Sequence, residues 1–436
     1  MTLSKLPYKG TRDLFPSEKR VQNFLFEKMH TTAQLFGYEP YDGPLLEEVD
    51  LYRAKSGEEL VNEQIYRFID RGEREVAIRP EMTPTLARMV AQINREAPRP
   101  IRWYAIPNLM RYERPQKGRL REHWQFNVDI FGGKENLAEF EIFSLAITLL
   151  QSFGANASHF EILVNHRKLV DCLLKDKMKL SDEVALKLCK LLDRYKKLPE
   201  AAFLEQLNVF NLSKDQEGLF LEYLKLNSFE NLQLFLDAHQ IGSAVWDFKT
   251  FFQMAKEFEL TSYLHYDPTI VRGLDYYTGI VFEIFDKHPD NRRALCGGGA
   301  YDRLLEIFGE KPLPGVGLGL GDVTLKDFLQ SHGLLPDMSR PTNDILLTFQ
   351  LDGGMAPTMR LAQALRAQGV RVLTTLEALK LNKIFPLAEK RGAKCVSILD
   401  DQELIANKVA IKNLKTAQQV TFDLHDLGAI TKFIMD

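Results

Sequence analysis

Hydrophobic and polar residues recur along this chain with two different periods, and the changes of period divide it. After TRDLFP, apolar positions at Val21, Phe24, Leu25, Met29 and Phe36 return at helical spacing and stop at Gly37, a residue suited to the left-handed position that closes a helix. Between residues 75 and 132 the period drops to two: REVAIRP, IRWYAI, LMRYE and HWQFNVDIFG read as short strands joined by turns bearing proline or glycine. Consecutive strands on short links predict an antiparallel sheet rather than βαβ units. Residues 168–262 return to helical spacing in LSDEVALKLCKLLDRYKKL, LSKDQEGLFLEYLKL and FENLQLFLDAHQ, which predicts a helical insertion. Strand texture resumes in DPTIVRGLDYYTGIVFEIF and runs to LPGVGLGLGDVTLKDFLQ, so a first domain made of 1–167 and 263–330 is expected to be discontinuous. A proline-bearing linker, 331–342, leads into alternating strands and helices over 343–436, the pattern of a small separate α/β domain.

Composition narrows the classes. A chain of 436 residues exceeds one ordinary core, which agrees with the division into domains. The net charge of −3 excludes a protein that binds polyanions by bulk charge, so any nucleic-acid contact has to come from a local patch. Cys172, Cys189, Cys296 and Cys395 form no CxxC pair, which argues against a zinc knuckle and a disulfide framework, and no protein-held metal is expected. No stretch approaches the roughly 18 apolar residues of a membrane span, and the first twenty residues lack a signal-like apolar region. The expectation is a cytoplasmic protein without membrane attachment.

Four constellations carry candidate chemistry. In RPEMTPTLARMV, Thr83 followed by Pro84 reads as an N-cap with proline at the first helical position, leaving Glu81 just ahead of a helix; capping alone and an ammonium receptor both fit. In RYERPQKGRLREHWQFNVDIF, alternation sends Arg111 and Glu113 to one face, and Gln125, Asn127 and Asp129 to one face opposite Trp124, Phe126, Val128 and Ile130. That polar face either meets water or holds a ligand, and the turn between the strands presents Lys117, Arg119 and Arg121 where phosphates can be gripped. In LPGVGLGLGDVTL, Gly317, Gly319 and Gly321 leave one strand face as bare backbone, open to a flat ligand or to close packing by a second element. CGGGAYDRL reads as a strand-to-helix turn that delivers Tyr301 to the same edge. No Walker A loop, dinucleotide fingerprint, zinc-binding HExxH or serine elbow is present. Arginines, carboxylates and glycines on antiparallel strands suit attack of a substrate carboxylate on a nucleotide α-phosphate, where cations aimed at the developing charge supply most of the acceleration.

The order KGTRDLFP, GYEPYDGPLLEEVDLY, RPEMTPTLARMV, RYERPQKGRLREHWQFNVDIFG, VRGLDYYTGIVFE, CGGGAYDRL, GVGLGLG and a final α/β domain resembles the histidyl-tRNA synthetases, a class II aminoacyl-tRNA synthetase family, from end to end. The resemblance implies an α+β fold. Its expected parts are a six-stranded antiparallel catalytic sheet flanked by helices, a helical insertion, and a C-terminal anticodon-binding α/β domain. It implies ATP with Mg2+, L-histidine and tRNA(His) as ligands, and a homodimer formed partly through the segment around GYEPYDGPLLEE. Arg111 would hold the α-phosphate and the amino-acid carboxylate, Glu113 would contact the adenine side, and Arg119 would face the phosphates or the tRNA acceptor end. Gly317, Gly319 and Gly321 would line the nucleotide site. Glu81, Met82, Thr83, Gln125 and Asp129 fall on histidine-binding positions; Arg272 would act on the α-phosphate opposite Arg111; Tyr276 and Tyr277 would line the imidazole pocket, with Tyr301 beside them. Lys380, Lys383, Lys390, Arg391 and Lys394 are candidates for phosphate contacts or simply a solvated helix face. Two positions depart from the family pattern: Thr324 stands where an arginine is usual, and Ala300 where another cation is common. A second expectation of a different class is a non-catalytic synthetase-like paralogue, such as the regulatory subunit of ATP phosphoribosyltransferase. The retained Arg111, Arg272, histidine-pocket positions and C-terminal domain favour the ligase.

Overall fold

The computed structural model describes residues 3–54, 60–116, 118–134, 136–242, 245–271, 277–291, 294–400 and 405–436. Among them no helix is long and apolar enough to cross a membrane. The chain divides into two compact units, one of residues 1–13 and 22–336 and one of 14–21 and 337–436.

Helix α1 (Pro16–Leu35), most of which belongs to the first unit, stops as its pattern predicts, at Gly37 with φ 76°. Strands β1 (Glu39–Pro40), β2 (Leu46–Glu48), β3 (Tyr66–Ile69) and β4 (Glu75–Ile78) follow, with the short helix α2 (Val49–Arg53) after β2 and α3 (Thr83–Ile93) after β4. Next come β5 (Ile101–Ala105), β6 (Asn108–Met110), β7 (Glu122–Phe131), α4 (Leu137–Ser152) and β8 (Phe160–His166). After the helices described below, β9 (Leu264–Tyr266), β10 (Ile280–Asp286), β11 (Ala294–Ala300) and β12 (Gly315–Gly321) complete the sheet.

Its path is β1-β5-β7-β12-β11-β10-β8-β9, with β6 added to β7. From β5 to β8 every pairing is antiparallel, and β1 and β9 add parallel edges. Six antiparallel strands therefore form the body of the sheet. The segment REVAIRP is not among them: β4 pairs with β2 and β3 in a separate three-stranded sheet. Its pairings are antiparallel as expected, but period-2 patterning marks a strand without naming its partners, so the sheet it joins is not legible from it.

One face of the large sheet is apolar. Phe126, Val128 and Ile130 of β7 lie opposite Leu320, Leu318 and Val316 of β12, and α4 brings Phe140, Phe143 and Leu150 into the same core. Burying each such side chain stabilises the fold by roughly 1.5–3 kcal/mol. CGGG belongs to the strand β11 rather than to a turn. Glycine's low strand propensity suggested a turn, but packing overrides it: a Cβ at Gly298 would press on the Phe282 ring and on the carbonyl of Gly317.

Between β8 and β9 the chain is helical, with α5 (Arg167–Asp171), α6 (Asp182–Leu192), α7 (Glu200–Asn208), α8 (Lys214–Leu224), α9 (Phe229–Ala238) and α10 (Phe248–Glu257). These helices share the core of the sheet; Phe251 of α10 lies 5.0 Å from Phe140 of α4, ring to ring. After β12, α11 (Asp322–Ser331) packs Leu325, Phe328 and Leu329 into that core.

The second unit alternates as its sequence predicts. β13 (Asn343–Phe349), α12 (Met355–Ala367), β14 (Val372–Thr374), α13 (Leu381–Lys390) and β15 (Ala393–Leu399) are followed by β16 (Lys408–Asn413), β17 (Gln419–Asp423) and α14 (Leu427–Met435). The sheet order is β14-β13-β15-β16-β17, parallel among the first three and antiparallel beyond. Lys380, Lys383, Lys390, Arg391 and Lys394 are all exposed, and Lys394 is paired with the buried Asp344 at 3.5 Å.

Candidate active site

The second face of the large sheet is polar in β7 and bare in its neighbours. Register sets Asp129 opposite Gly317 and Gln125 opposite Gly321, with Asn127 opposite Gly319 between them. One strand further, Gly299 lies opposite Gly317 and Gly297 opposite Gly319. Two motifs 190 residues apart in sequence thus become one floor.

The floor is not bare over its whole length, as the glycines alone suggested. A Cβ at Gly317 would land on the Asp129 carboxylate, and one at Gly319 would come within 2.7 Å of Gln125 Nε2. The glycines on β12 therefore make room for the side chains of β7, which is the close-packing alternative. On β11, Gly299 accommodates the Tyr277 ring, 2.9 Å from where its Cβ would be.

Asp129 is only 5% exposed, so this face does not simply meet water. The Tyr301 hydroxyl donates to its Oδ1, and the Tyr301 ring stacks on Tyr277 with centroids 6.4 Å apart. Burial pushes the Asp129 pKa up to about 7, against the opposing pull of the Tyr301 hydrogen bond. A carboxylate poised this way gains much from a cationic ligand. Sequence reasoning placed Tyr301 at this edge but missed Tyr41 and Trp103, whose rings lie 5.5 Å apart. Trp103 sits opposite Asp129 on β5, and the Tyr41 hydroxyl is buried without a hydrogen-bond partner among the described residues.

At the other end of β7 the cations gather. β6 ends at Met110, so Arg111 and Glu113 are not consecutive positions on one strand face; the Glu113 N–H instead turns back onto the Arg111 carbonyl at 2.8 Å. Arg111 still pairs with Arg121 through its backbone N–H, and its Nε donates to the Pro80 carbonyl at 2.8 Å, beside Glu81. Met82, not Thr83, occupies the cap of α3; it makes no side-chain cap bond, and Thr83 is already helical. The N–H-less Pro84 is tolerated equally at the first or second helical position, so it did not define the boundary.

Of the three turn cations, Lys117 lies outside the described residues, as do Arg272 and Tyr276. Arg119 pairs with Glu113, and reciprocal 2.9 Å backbone bonds between Gln116 and Arg119 close the turn. Arg121 is buried, not presented to phosphate: its guanidinium lies 4.0 Å from the Tyr112 ring and donates to the Tyr8 hydroxyl at 2.8 Å. Long side chains near a strand end can fold back to pack their stems, which alternation does not reveal.

His123, not singled out from sequence, shares the Gln125 face by alternation. Burial first, and then Arg111, Arg12 and Arg119, hold its pKa down to about 3, so it is neutral. Strand parity was the signal that could have found it.

A six-stranded antiparallel sheet whose polar face carries an arginine, a buried carboxylate and cleared glycine rows defines a class II aminoacyl-tRNA synthetase fold. More narrowly, the chain belongs to the histidyl-tRNA synthetase family, whose model matches residues 10–323; a model of an anticodon binding domain matches 354–432. It is 43% identical over 423 residues to the histidine–tRNA ligase of Leptospira biflexa serovar Patoc, covering 96% of this chain and 95% of that one. It is 37% identical to the chloroplastic/mitochondrial histidine–tRNA ligase of Arabidopsis thaliana, covering 97% and 85%. The crystal structure of histidyl-tRNA synthetase from Nostoc sp. PCC 7120 superposes with a TM-score of 0.83 at 22% identity, covering 100% of this chain and 99% of that one, a likeness of fold.

Proposed function

We propose that this chain ligates L-histidine to its cognate tRNA. Histidine and ATP form histidyl-adenylate with release of diphosphate, and the tRNA then displaces AMP. The observation that carries the reading is the pairing of Asp129 with Tyr301 on a glycine-cleared floor, with Arg111 beside the other end of β7.

In the first step a histidine carboxylate oxygen attacks the α-phosphorus and the bond to diphosphate breaks. Both reactants are anions, so the guanidinium of Arg111 stabilises the charge that develops between them. Asp129 accepts the substrate ammonium together with Glu81, Thr83 and Gln125, and Met82 packs beside them. Tyr277, seated on Gly299 and stacked on Tyr301, faces the imidazole, where a phenol can bond a ring nitrogen. Arg272 and Tyr276 take their roles from the motif RGLDYY: the first on the α-phosphate opposite Arg111, the second beside Tyr277. Glu113 contacts the adenine side and Arg119, released from it, faces the phosphates; Gly321 borders the nucleotide.

The residues present fit Mg2+ as an ion carried on the phosphates of ATP. Among the described residues no group of three His, Cys, Asp or Glu side chains is placed to hold a metal, and Mg2+ ordinarily keeps several waters and one or two carboxylates beside phosphate oxygens. The buried Glu113 Oε1, without a hydrogen-bond partner among the described residues, is available to it. Mg2+ would neutralise phosphate charge there.

The protein works in the cytoplasm as a homodimer through the segment around GYEPYDGPLLEE, where Leu45 and Leu46 are exposed beside a groove lined by Pro44, Glu47, Leu51, Arg88 and Phe308. Its catalytic core is 1–167 with 263–330, and the C-terminal unit reads the tRNA.

The test is histidine-dependent exchange of diphosphate into ATP, followed by aminoacylation of tRNA(His). Exchange and charging are expected; histidine binding without exchange would overturn the ligase in favour of a regulatory paralogue. Arg272→Ala is expected to slow exchange about 10²-fold, the usual cost of one strong transition-state donor, and unchanged turnover would show the arginine to be structural.

A further inference from the structure

The motif KGTRD is not used by the site described above, yet it lies against it. The backbone N–H of Arg121 donates to the Gly10 carbonyl at 2.8 Å, and Gly10, at φ 90°, leaves room for the Arg121 stem, 2.6 Å from where its Cβ would be. Tyr8 is bonded to the same arginine. The strap is thereby fastened across the base of the hairpin that carries Arg111 and Arg119.

It delivers Arg12 to the first residue of α11. The Arg12 guanidinium pairs with Asp322, a buried carboxylate whose other oxygen accepts the Trp124 N–H at 3.0 Å. The ion pair with Asp322, itself bonded to Trp124, therefore holds Arg12 beside β7, its guanidinium carbon 5.8 Å from the Trp124 ring. The side chain is 21% exposed, and its Nε is buried without a hydrogen-bond partner among the described residues. Arg111, Arg12 and Arg119 all add to the burial that lowers the His123 pKa, so the three cations share one neighbourhood. Asp322 and Glu113 offset two of those charges, leaving the group cationic. Thr324, which follows on α11, adds none: its hydroxyl is committed to the carbonyls of Leu295 and Gly321 at 3.0 and 3.1 Å.

We propose that Arg12 is a nucleotide-binding residue, a further cation of the ATP site, held by Asp322 so that its guanidinium meets the terminal phosphates. The inference rests on the reading of this face as an ATP site. A guanidinium tethered to a carboxylate at one edge keeps its other donors oriented for a phosphate. A cation that position 324 of α11 does not carry is supplied by a segment some 310 residues upstream.

The experiment is steady-state diphosphate exchange by the full-length protein with Arg12→Ala and Arg12→Lys, varying ATP, histidine and diphosphate separately, with thermal midpoints alongside. Loss of one charge-assisted contact to phosphate is expected to raise KM for ATP about 10- to 100-fold in Arg12→Ala, with KM for histidine within about twofold. Arg12→Lys should recover part of the loss, since charge is kept and the fork is not. A KM for ATP that stays within twofold in folded Arg12→Ala, or KM values for ATP and histidine that rise together as the thermal midpoint falls, would make Arg12 a structural strap and overturn the proposal. Should Arg12→Ala fail to fold, Arg12→Lys and Arg12→Gln decide it by the same comparison. Wild-type protein without exchange would instead overturn the reading of the site itself.

Discussion

Asp129→Asn is expected to abolish useful histidine binding while making the folded protein less sensitive to alkaline conditions. Removing the charge from a buried, hydrogen-bonded ion pair costs about 2–5 kcal/mol, so KM for histidine in the exchange reaction should rise by about 10²-fold or more at pH 8. The stability effect has the opposite sign. Burial raises the Asp129 pKa to about 7, above its ordinary value, so the folded protein holds this proton more tightly than the unfolded chain does. Its contribution is complete below about pH 4 and is lost as the pH rises through 7, which amounts to about 4 kcal/mol at about 1.4 kcal/mol per unit. Stability measured for variant and wild type between pH 4 and pH 8 should therefore diverge in favour of the variant as the pH rises. Parallel profiles would show that Asp129 is already ionised in the free protein, and an unchanged KM would remove it from the histidine site.

Arg111→Ala is expected to lower the rate of adenylate formation about 10³-fold, at the upper end for a single transition-state donor, because the attacking carboxylate and the α-phosphate both depend on it. Its Nε is anchored on the Pro80 carbonyl, so the guanidinium is fixed before substrates arrive. Fixed donors need no reorganisation as charge develops. Arg111→Lys should recover little, since an ammonium cannot hold that carbonyl and present a planar fork at once. The measurement is the single-turnover rate at saturating ATP and histidine, with circular dichroism to establish folding. A folded Arg111→Ala protein within threefold of wild type would assign the chemistry elsewhere.

The two predictions address opposite ends of β7, and they differ in how visible their residues were. Alternation in HWQFNVDIF put Gln125 and Asp129 on one face, and the glycine rhythm of GVGLGLG marked a face without side chains; both patterns are local and both strands formed. That the two faces coincide, with Asp129 opposite Gly317, depends on a pairing register between segments far apart in the chain. Local pattern carries no information about such a register. The same limit explains the errors. REVAIRP forms a strand but joins another sheet, and CGGG reads as a turn from sequence because glycine disfavours strands until the Phe282 and Tyr277 rings fill the space above it. Arg121 belonged to a basic run that suggested phosphate, and two tyrosine rings withdrew it.

Periodicity by itself determined the helices of the central region, the strands on either side of it, and the alternating C-terminal unit, because each element's buried face is written in its own residues. Motif order by itself determined the family. Only the tertiary structure decided the burial that sets the Asp129 charge balance, the covering of Gly317 and Gly319 by Asp129 and Gln125, and the union of Arg12 with Asp322. Those are relations between residues distant in sequence; each arises from which surfaces exclude water together, a property that no single segment possesses.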